Sequence, residues 1–172
     1  MIYNIYDIKE NDIEEIKKVY KIGNENSGDD LENKFNKRVD KTYYNSFLFD
    51  YSENFWCDLH NKQLMDIVKK YVKYDIKQEY IADVHYVNYG IGQGAHEHTD
   101  THSSIRTCVM ILSNGFEGGN FYLDGKHIEL KFGNMIEFDA DLTHSVTPVE
   151  SGNREVLVIF IKKSIKNINS LL

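Results

Sequence analysis

A chain of 172 residues with 41% apolar and 27% charged content is long enough to bury a core, short enough to be one domain, and globular rather than disordered in texture. Its net charge of −7 argues against nucleic-acid binding, because phosphates repel an acidic surface. There is no apolar run of membrane-spanning length, the N-terminus lacks the basic head and apolar stretch of a secretory signal, and two cysteines, Cys57 and Cys108, cannot build a disulfide framework or a zinc site, so a reducing cytoplasm without membrane contact is expected.

The first predicted element is a helix over NDIEEIKKVYKIG (residues 11–23). Asn11 or Asp12 can cap it, Ile13, Ile16, Val19 and Tyr20 form one apolar stripe, and Gly23 can end it in a left-handed turn. Residues 23–40 are polar and read as a loop. Phe55 and Trp56 are candidates for the core, and HNKQLMDIVKKYV (60–72) reads as a second helix, with Leu64, Ile67, Val68 and Tyr71 at helical spacing. From residue 79 the texture changes to short runs rich in Val, Ile, Tyr and Phe, separated by glycine-bearing turns. Asp124-Gly125 between two such runs predicts a hairpin. Even spacing of many short strands suggests a sandwich or barrel. Helices first and strands later predict an α+β domain, mainly β, with residues 1–78 as helical support packed on one sheet of a core over 79–163.

The stretch NYGIGQGAHEHTD (88–100) carries the first sign of chemistry. Residues two apart on a strand share a face, so His98 and Asp100 project together. Two neighbouring ligands cannot enclose a metal, and the best third candidate is His144, where FDADLTH passes into SVTPV. Two imidazoles and one carboxylate that leave positions open suit non-haem Fe(II) oxygen chemistry; an isolated HxD is more often a surface pair. Arg154 opens REVLVIFIKK, a strand apolar on both faces and therefore expected inside a sheet. Its planar fork matches a carboxylate, either an internal one or that of a dicarboxylate chelating the metal with its other end. His96, His102 and Arg106 are rival members of the site; His85 has the parity of Tyr89, with a satisfied core histidine as the commoner reading; His60 and His127 read as surface residues, and Cys108 as inert packing.

The ordered set NYGIGQGAHEHTD, CVMILSN, EGGNFYL and HSVTPVESGNREVLVIF resembles the Fe(II)/2-oxoglutarate oxygenases of the prolyl 4-hydroxylase kind, over residues 79–163. The resemblance implies a double-stranded β-helix, a jelly roll, with His98, Asp100 and His144 as iron ligands, Arg154 holding the far carboxylate of 2-oxoglutarate, and Tyr89 lining the co-substrate pocket. It implies Fe(II), 2-oxoglutarate and O2, with ascorbate as an accessory reductant, and hydroxylation of an unactivated C–H bond, foremost in a prolyl residue of a peptide or protein. Lysyl, free amino-acid and nucleobase oxidation are the alternatives. Asp100, where a small residue would admit a halide, favours hydroxylation over halogenation. Two departures stand out: Ile111 occupies a position where many relatives carry a tyrosine that helps bind 2-oxoglutarate, and Phe160 one where tryptophan is common. Thr107 shares a face with Ile111, and its hydroxyl is a substitute for the missing phenol. Two competing classes remain: a cupin-like metal jelly roll of another enzyme class, using a third histidine such as His96, and a non-catalytic binding module.

Overall fold

The structure is a computed structural model and describes residues 2–26, 62–74, 80–101 and 104–163. Most of the loop expected over 23–40, together with Phe55, Trp56, Cys57 and His60, lies outside them. No helix among the described residues is long and apolar enough to cross a membrane.

Helix α1 (Glu10–Asn26) starts one residue before the expected cap. Its first bonds run to the carbonyl of Lys9, from Asp12 N at 3.0 Å and Ile13 N at 3.2 Å. Asp12 does not cap; it is buried in the first turn, where its carboxylate accepts from the Tyr71 hydroxyl and from Lys70 Nζ. Both donors end the second helix, α2 (Lys62–Tyr71), so this carboxylate fastens one helix to the other. Gly23 does not stop α1, which continues to Asn26. An interior glycine weakens a helix by only about 1 kcal/mol and ends it only where the backbone turns left-handed.

The β elements are β1 (Tyr3–Asp7), β2 (Tyr80–Tyr89), β3 (Ala95–His98), β4 (Arg106–Ile111), β5 (Glu117–Gly118), β6 (Phe121–Leu123), β7 (Lys126–Ile128), β8 (Asn134–Asp139), β9 (His144–Val146), β10 (Val149–Ser151) and β11 (Arg154–Lys163). They form a five-stranded sheet ordered β1-β8-β4-β11-β2, a four-stranded sheet ordered β3-β9-β6-β7 and the pair β10-β5. All pairings within these sheets are antiparallel. The chain is thus mainly β with few helices. β6 and β7 make the expected hairpin around Asp124 and Gly125, both at positive φ. β1 was not foreseen: YNIYD is too short and too mixed to separate from an irregular lead-in, and it becomes a strand only by pairing with the edge of β8.

β11 lies between β4 and β2, which explains its two apolar faces. Leu157, Ile159 and Ile161 share one buried cluster with Cys108 and Met110 of β4, Val84 of β2, Ile13, Ile16 and Val19 of α1, and Leu64, Ile67 and Val68 of α2. The intervening Val156 joins a second cluster with Val87, Val109, Ile111 and Phe138 from the same sheet, and Phe121, Leu123 and Val146 from the four-stranded sheet. The period of two thus divides each central strand between a helix-facing and a sheet-facing core. The site opens in the second.

Candidate active site

His98 ends β3 and His144 opens β9, and the two are direct partners in the β3–β9 register. Strand pairing alone therefore sets their rings side by side, with centroids 4.1 Å apart. An irregularity between Ala95 and His98 bends this short strand, as a bulge does when it re-aims a side chain. The loop before it lies flat on β9 because residue 94 is glycine: a Cβ there would stand 2.5 Å from the Val146 carbonyl oxygen. Asp100 follows in a turn pinned at both ends. Its amide donates to the Ala140 carbonyl at 2.8 Å, and its own carbonyl accepts from Ser104 N at 2.9 Å.

The three side chains converge. His98 Nε2 lies 3.4 Å from Asp100 Oδ1, and His144 Nε2 lies 3.2 Å from Asp100 Oδ2. One ligand atom from each residue falls within 4.8 Å of the others. Each imidazole is oriented from behind by a backbone carbonyl, His98 Nδ1 donating to His96 O at 2.7 Å and His144 Nδ1 to Leu142 O at 3.1 Å. With Nδ1 so engaged, each ring presents Nε2 to the carboxylate, and in a neutral imidazole that nitrogen carries the lone pair a metal needs. Such a set can hold a cation between its three side chains. Ligands adjacent on a metal at about 2.1 Å sit roughly 3 Å apart, close to the spacings here. Asp100 is 1% exposed. Burial alone would push its carboxyl up, but hydrogen bonds from His144, His98 and Thr107 outweigh burial and hold it well below the usual carboxylate range.

The triad borders a cavity of about 50 Å³ whose walls are mostly apolar. Val109 and Thr107 of β4, Val87 and Tyr89 of β2, and Val156, Val158 and Phe160 of β11 line it. Arg154 lines it too, at 2% exposure. Phe160 pairs with Thr107, and Arg154 lies six residues back along β11, roughly 20 Å at about 3.3 Å per residue. Less the reach of the arginine side chain and the metal's distance from the sheet, that leaves room for a small molecule. The guanidinium carbon lies 5.4 Å from the Tyr89 ring centroid, across the β11–β2 pair. Gly119 leaves room for the arginine stem: a Cβ there would stand 2.8 Å from Arg154 Cδ, and its φ of +59° suits glycine. This gives the GG of EGGNFYL a physical reason.

Among the other candidates, Arg106 points away from the cavity, bonded to Glu137 at 3.0 Å and to Asp139. His96 is exposed and serves the site through its carbonyl. His127 is exposed and stacks on Tyr122, and His102 lies outside the described residues. Ile111 borders a second cavity, which shares Arg154 and Phe121 with the triad's own, and does not line the latter. Thr107 does line the triad's cavity, and its hydroxyl donates to Asp100 Oδ2 at 2.7 Å. Of two further residues near the site, the sequence raised His85 as able to face the cavity and did not raise Ser104. His85 lines the cavity, edge-on to Phe160 with centroids 5.0 Å apart; the signal was its parity with Tyr89. Ser104, buried beside Thr107, gave no signal in the sequence.

Two imidazoles and one carboxylate gathered beside one cavity are a set that could hold a non-haem metal of the kind used for oxygen activation. Residues 84–162, which include every residue lining that cavity, match the 2OG-Fe(II) oxygenase superfamily. That family works with Fe(II), 2-oxoglutarate and O2, and the His98, Asp100 and His144 set fits iron. No curated protein matches the chain in sequence. Among solved structures, a viral collagen prolyl hydroxylase from Paramecium Bursaria Chlorella virus-1, in complex with 2OG, shares the fold at a TM-score of 0.55 and 17% identity, over 95% of this chain and 96% of that one. An oxidoreductase of the 2OG-Fe(II) oxygenase family from Burkholderia pseudomallei aligns at a TM-score of 0.48 and 19% identity, and a Pseudomonas putida prolyl-4-hydroxylase at 0.45 and 18%. These two alignments cover 65% and 62% of this chain, and the chain spans only 56% and 62% of those proteins.

Proposed function

We propose that the chain is an Fe(II)- and 2-oxoglutarate-dependent dioxygenase that hydroxylates an unactivated C–H bond, foremost in a prolyl residue of a peptide or protein. The whole chain is read as one domain of double-stranded β-helix type, 79–163 forming the core and 1–78 its support. The observation that carries the reading is the convergence of His98, Asp100 and His144 in one cavity with a buried Arg154. The prolyl substrate rests on the likeness of the motifs.

His98, Asp100 and His144 would hold the metal on one face. The bound iron supplies oxygen activation coupled to decarboxylation of 2-oxoglutarate to succinate and carbon dioxide. Arg154 pairs with the far carboxylate of the co-substrate, fixing its direction in the cavity. Tyr89, packed on the guanidinium, holds that side chain in place. Val87, Val109, Val156 and Val158 exclude water from the space between, which strengthens both electrostatic anchors.

The test is Fe(II)-dependent release of succinate from 2-oxoglutarate, with and without a proline-containing peptide. Wild type should turn over, faster with the peptide, and Asp100→Ala should not. A wild-type protein that neither binds nor consumes 2-oxoglutarate would favour a metal jelly roll of another class or a binding module.

A further inference from the structure

We propose that Thr107 is a positioning residue of the metal centre: with Ser104 behind it, it locks the Asp100 carboxylate so that Oδ1 is the oxygen offered to the metal. This rests on the metal reading of the triad and deepens it.

The direction of each bond follows from chemistry. Thr107 Oγ1 lies 2.7 Å from Asp100 Oδ2, and a carboxylate only accepts, so Thr107 donates. Its proton is thereby committed, so at the 3.3 Å contact the Thr107 oxygen can only accept from Ser104 Oγ, whose single proton also has the Asp100 carbonyl within 3.4 Å. Ser104 is itself fixed, because its amide bonds the Asp100 carbonyl at 2.9 Å. The relay closes on the residue it serves. Ser104, Thr107 and Asp100 are all buried, so water does not readily replace a lost bond.

The consequence lies in how the carboxylate is shared. A proton on Oδ2 occupies one of its lone pairs and opposes rotation of the group about its Cβ–Cγ bond. Oδ1 faces His98 Nε2 at 3.4 Å and Oδ2 faces His144 Nε2 at 3.2 Å, so both oxygens border the metal position, and Oδ1, which does not accept from Thr107, is left as the better donor. Thr107 sits on β4, the strand next to β11 in the middle of the larger sheet, so the lock is anchored in a rigid element. The hydroxyl expected to greet the co-substrate is spent on the metal ligand.

Metal affinity separates the two roles. Metal-free wild type, Thr107→Val, Thr107→Ser and Ser104→Ala are titrated with Mn(II) and with Co(II), without 2-oxoglutarate. Thr107→Val keeps the shape and should lose roughly 10- to 100-fold in affinity for either ion, with a changed Co(II) absorption spectrum. Thr107→Ser should stay close to wild type, and Ser104→Ala should fall between. If Thr107→Val does not fold, Ser104→Ala, which leaves the Thr107 side chain in place, decides alone. Wild type binding neither ion would sink the metal reading itself. Wild type binding tightly and Thr107→Val equally so would overturn the positioning role and leave the metal centre standing. Unchanged metal affinity with weakened 2-oxoglutarate binding in Thr107→Val would overturn it in favour of a direct co-substrate contact.

Discussion

Replacing Arg154 by methionine puts the co-substrate assignment at greatest risk. Arg154 is buried, with its guanidinium carbon 5.4 Å from the Tyr89 ring centroid, so a carboxylate paired with it is poorly hydrated and poorly screened by salt. Removing one partner of such a pair costs about 3–5 kcal/mol, since the remaining charge is left buried and alone. At about 1.4 kcal/mol per tenfold, 2-oxoglutarate affinity should fall roughly 100- to 4,000-fold in Arg154→Met. Arg154→Lys keeps the charge and loses the fork, so a smaller fall of roughly 10- to 100-fold is expected. The assay is calorimetric titration of 2-oxoglutarate into anaerobic, Mn(II)-loaded protein. Mn(II) affinity measured beforehand serves as the control and should not move, because Arg154 is six residues along β11 from the partner of Thr107. An Arg154→Met protein that binds 2-oxoglutarate within about fivefold of wild type, a difference of only ~1 kcal/mol, refutes the carboxylate clamp.

Gly119→Ala should weaken 2-oxoglutarate binding with metal affinity intact, since the new methyl presses on Arg154 Cδ and the backbone strain adds about 1–3 kcal/mol, visible as a lower Tm. Asp12→Asn should lower unfolding stability at neutral pH by roughly 1–3 kcal/mol in denaturant titrations. The hydrogen bond from Tyr71 holds the Asp12 carboxyl below its ordinary value, so its contribution is complete above about pH 3.9 and fades as pH falls through the lower folded value; the gap between wild type and variant should therefore close only below about pH 4. Mn(II) at a hundred times its Kd should stabilise the wild type by about 2.7 kcal/mol in thermal melts, reversed by chelation, and should do nothing for Asp100→Ala.

How much of this was legible in the sequence depends on whether one residue or a partnership carries the information. His98, Asp100, His144 and Arg154 stand in an ordered motif, and the structure gathers all four around one cavity. The two-sided apolarity of REVLVIFIKK marked β11 as interior, because only a central strand must satisfy two cores. Asp12 was misread because a carboxylate before an apolar stripe resembles a cap, and the partner that claims it, Tyr71, is 59 residues away. The role of Thr107 was invisible for a similar reason: parity with Ile111 places the hydroxyl in the cavity, but nothing local says that Asp100 lies within 2.7 Å. β1 has no intrinsic signal at all, since its strand character comes from β8.

The charges of the cavity impose an order on its ligands. Without a metal, the buried fixed charges are the Asp100 carboxylate near one end and the Arg154 guanidinium near the other. A dicarboxylate entering then gains Arg154 but brings its second anionic end toward Asp100, in apolar surroundings where repulsion between like charges is strong. A divalent cation held by His98, Asp100 and His144 reverses the sign at that end. The two ends then carry one net positive charge each, and a dianion of matching length neutralises both. The valines between them offer nothing to a polar middle, so affinity comes from the two ends together. A ligand with one carboxylate, or a dicarboxylate too short to span from the triad to Arg154, would engage only one of the two ends. On the proposed function the cavity would select for charge number and for length, and would take the cation before the co-substrate.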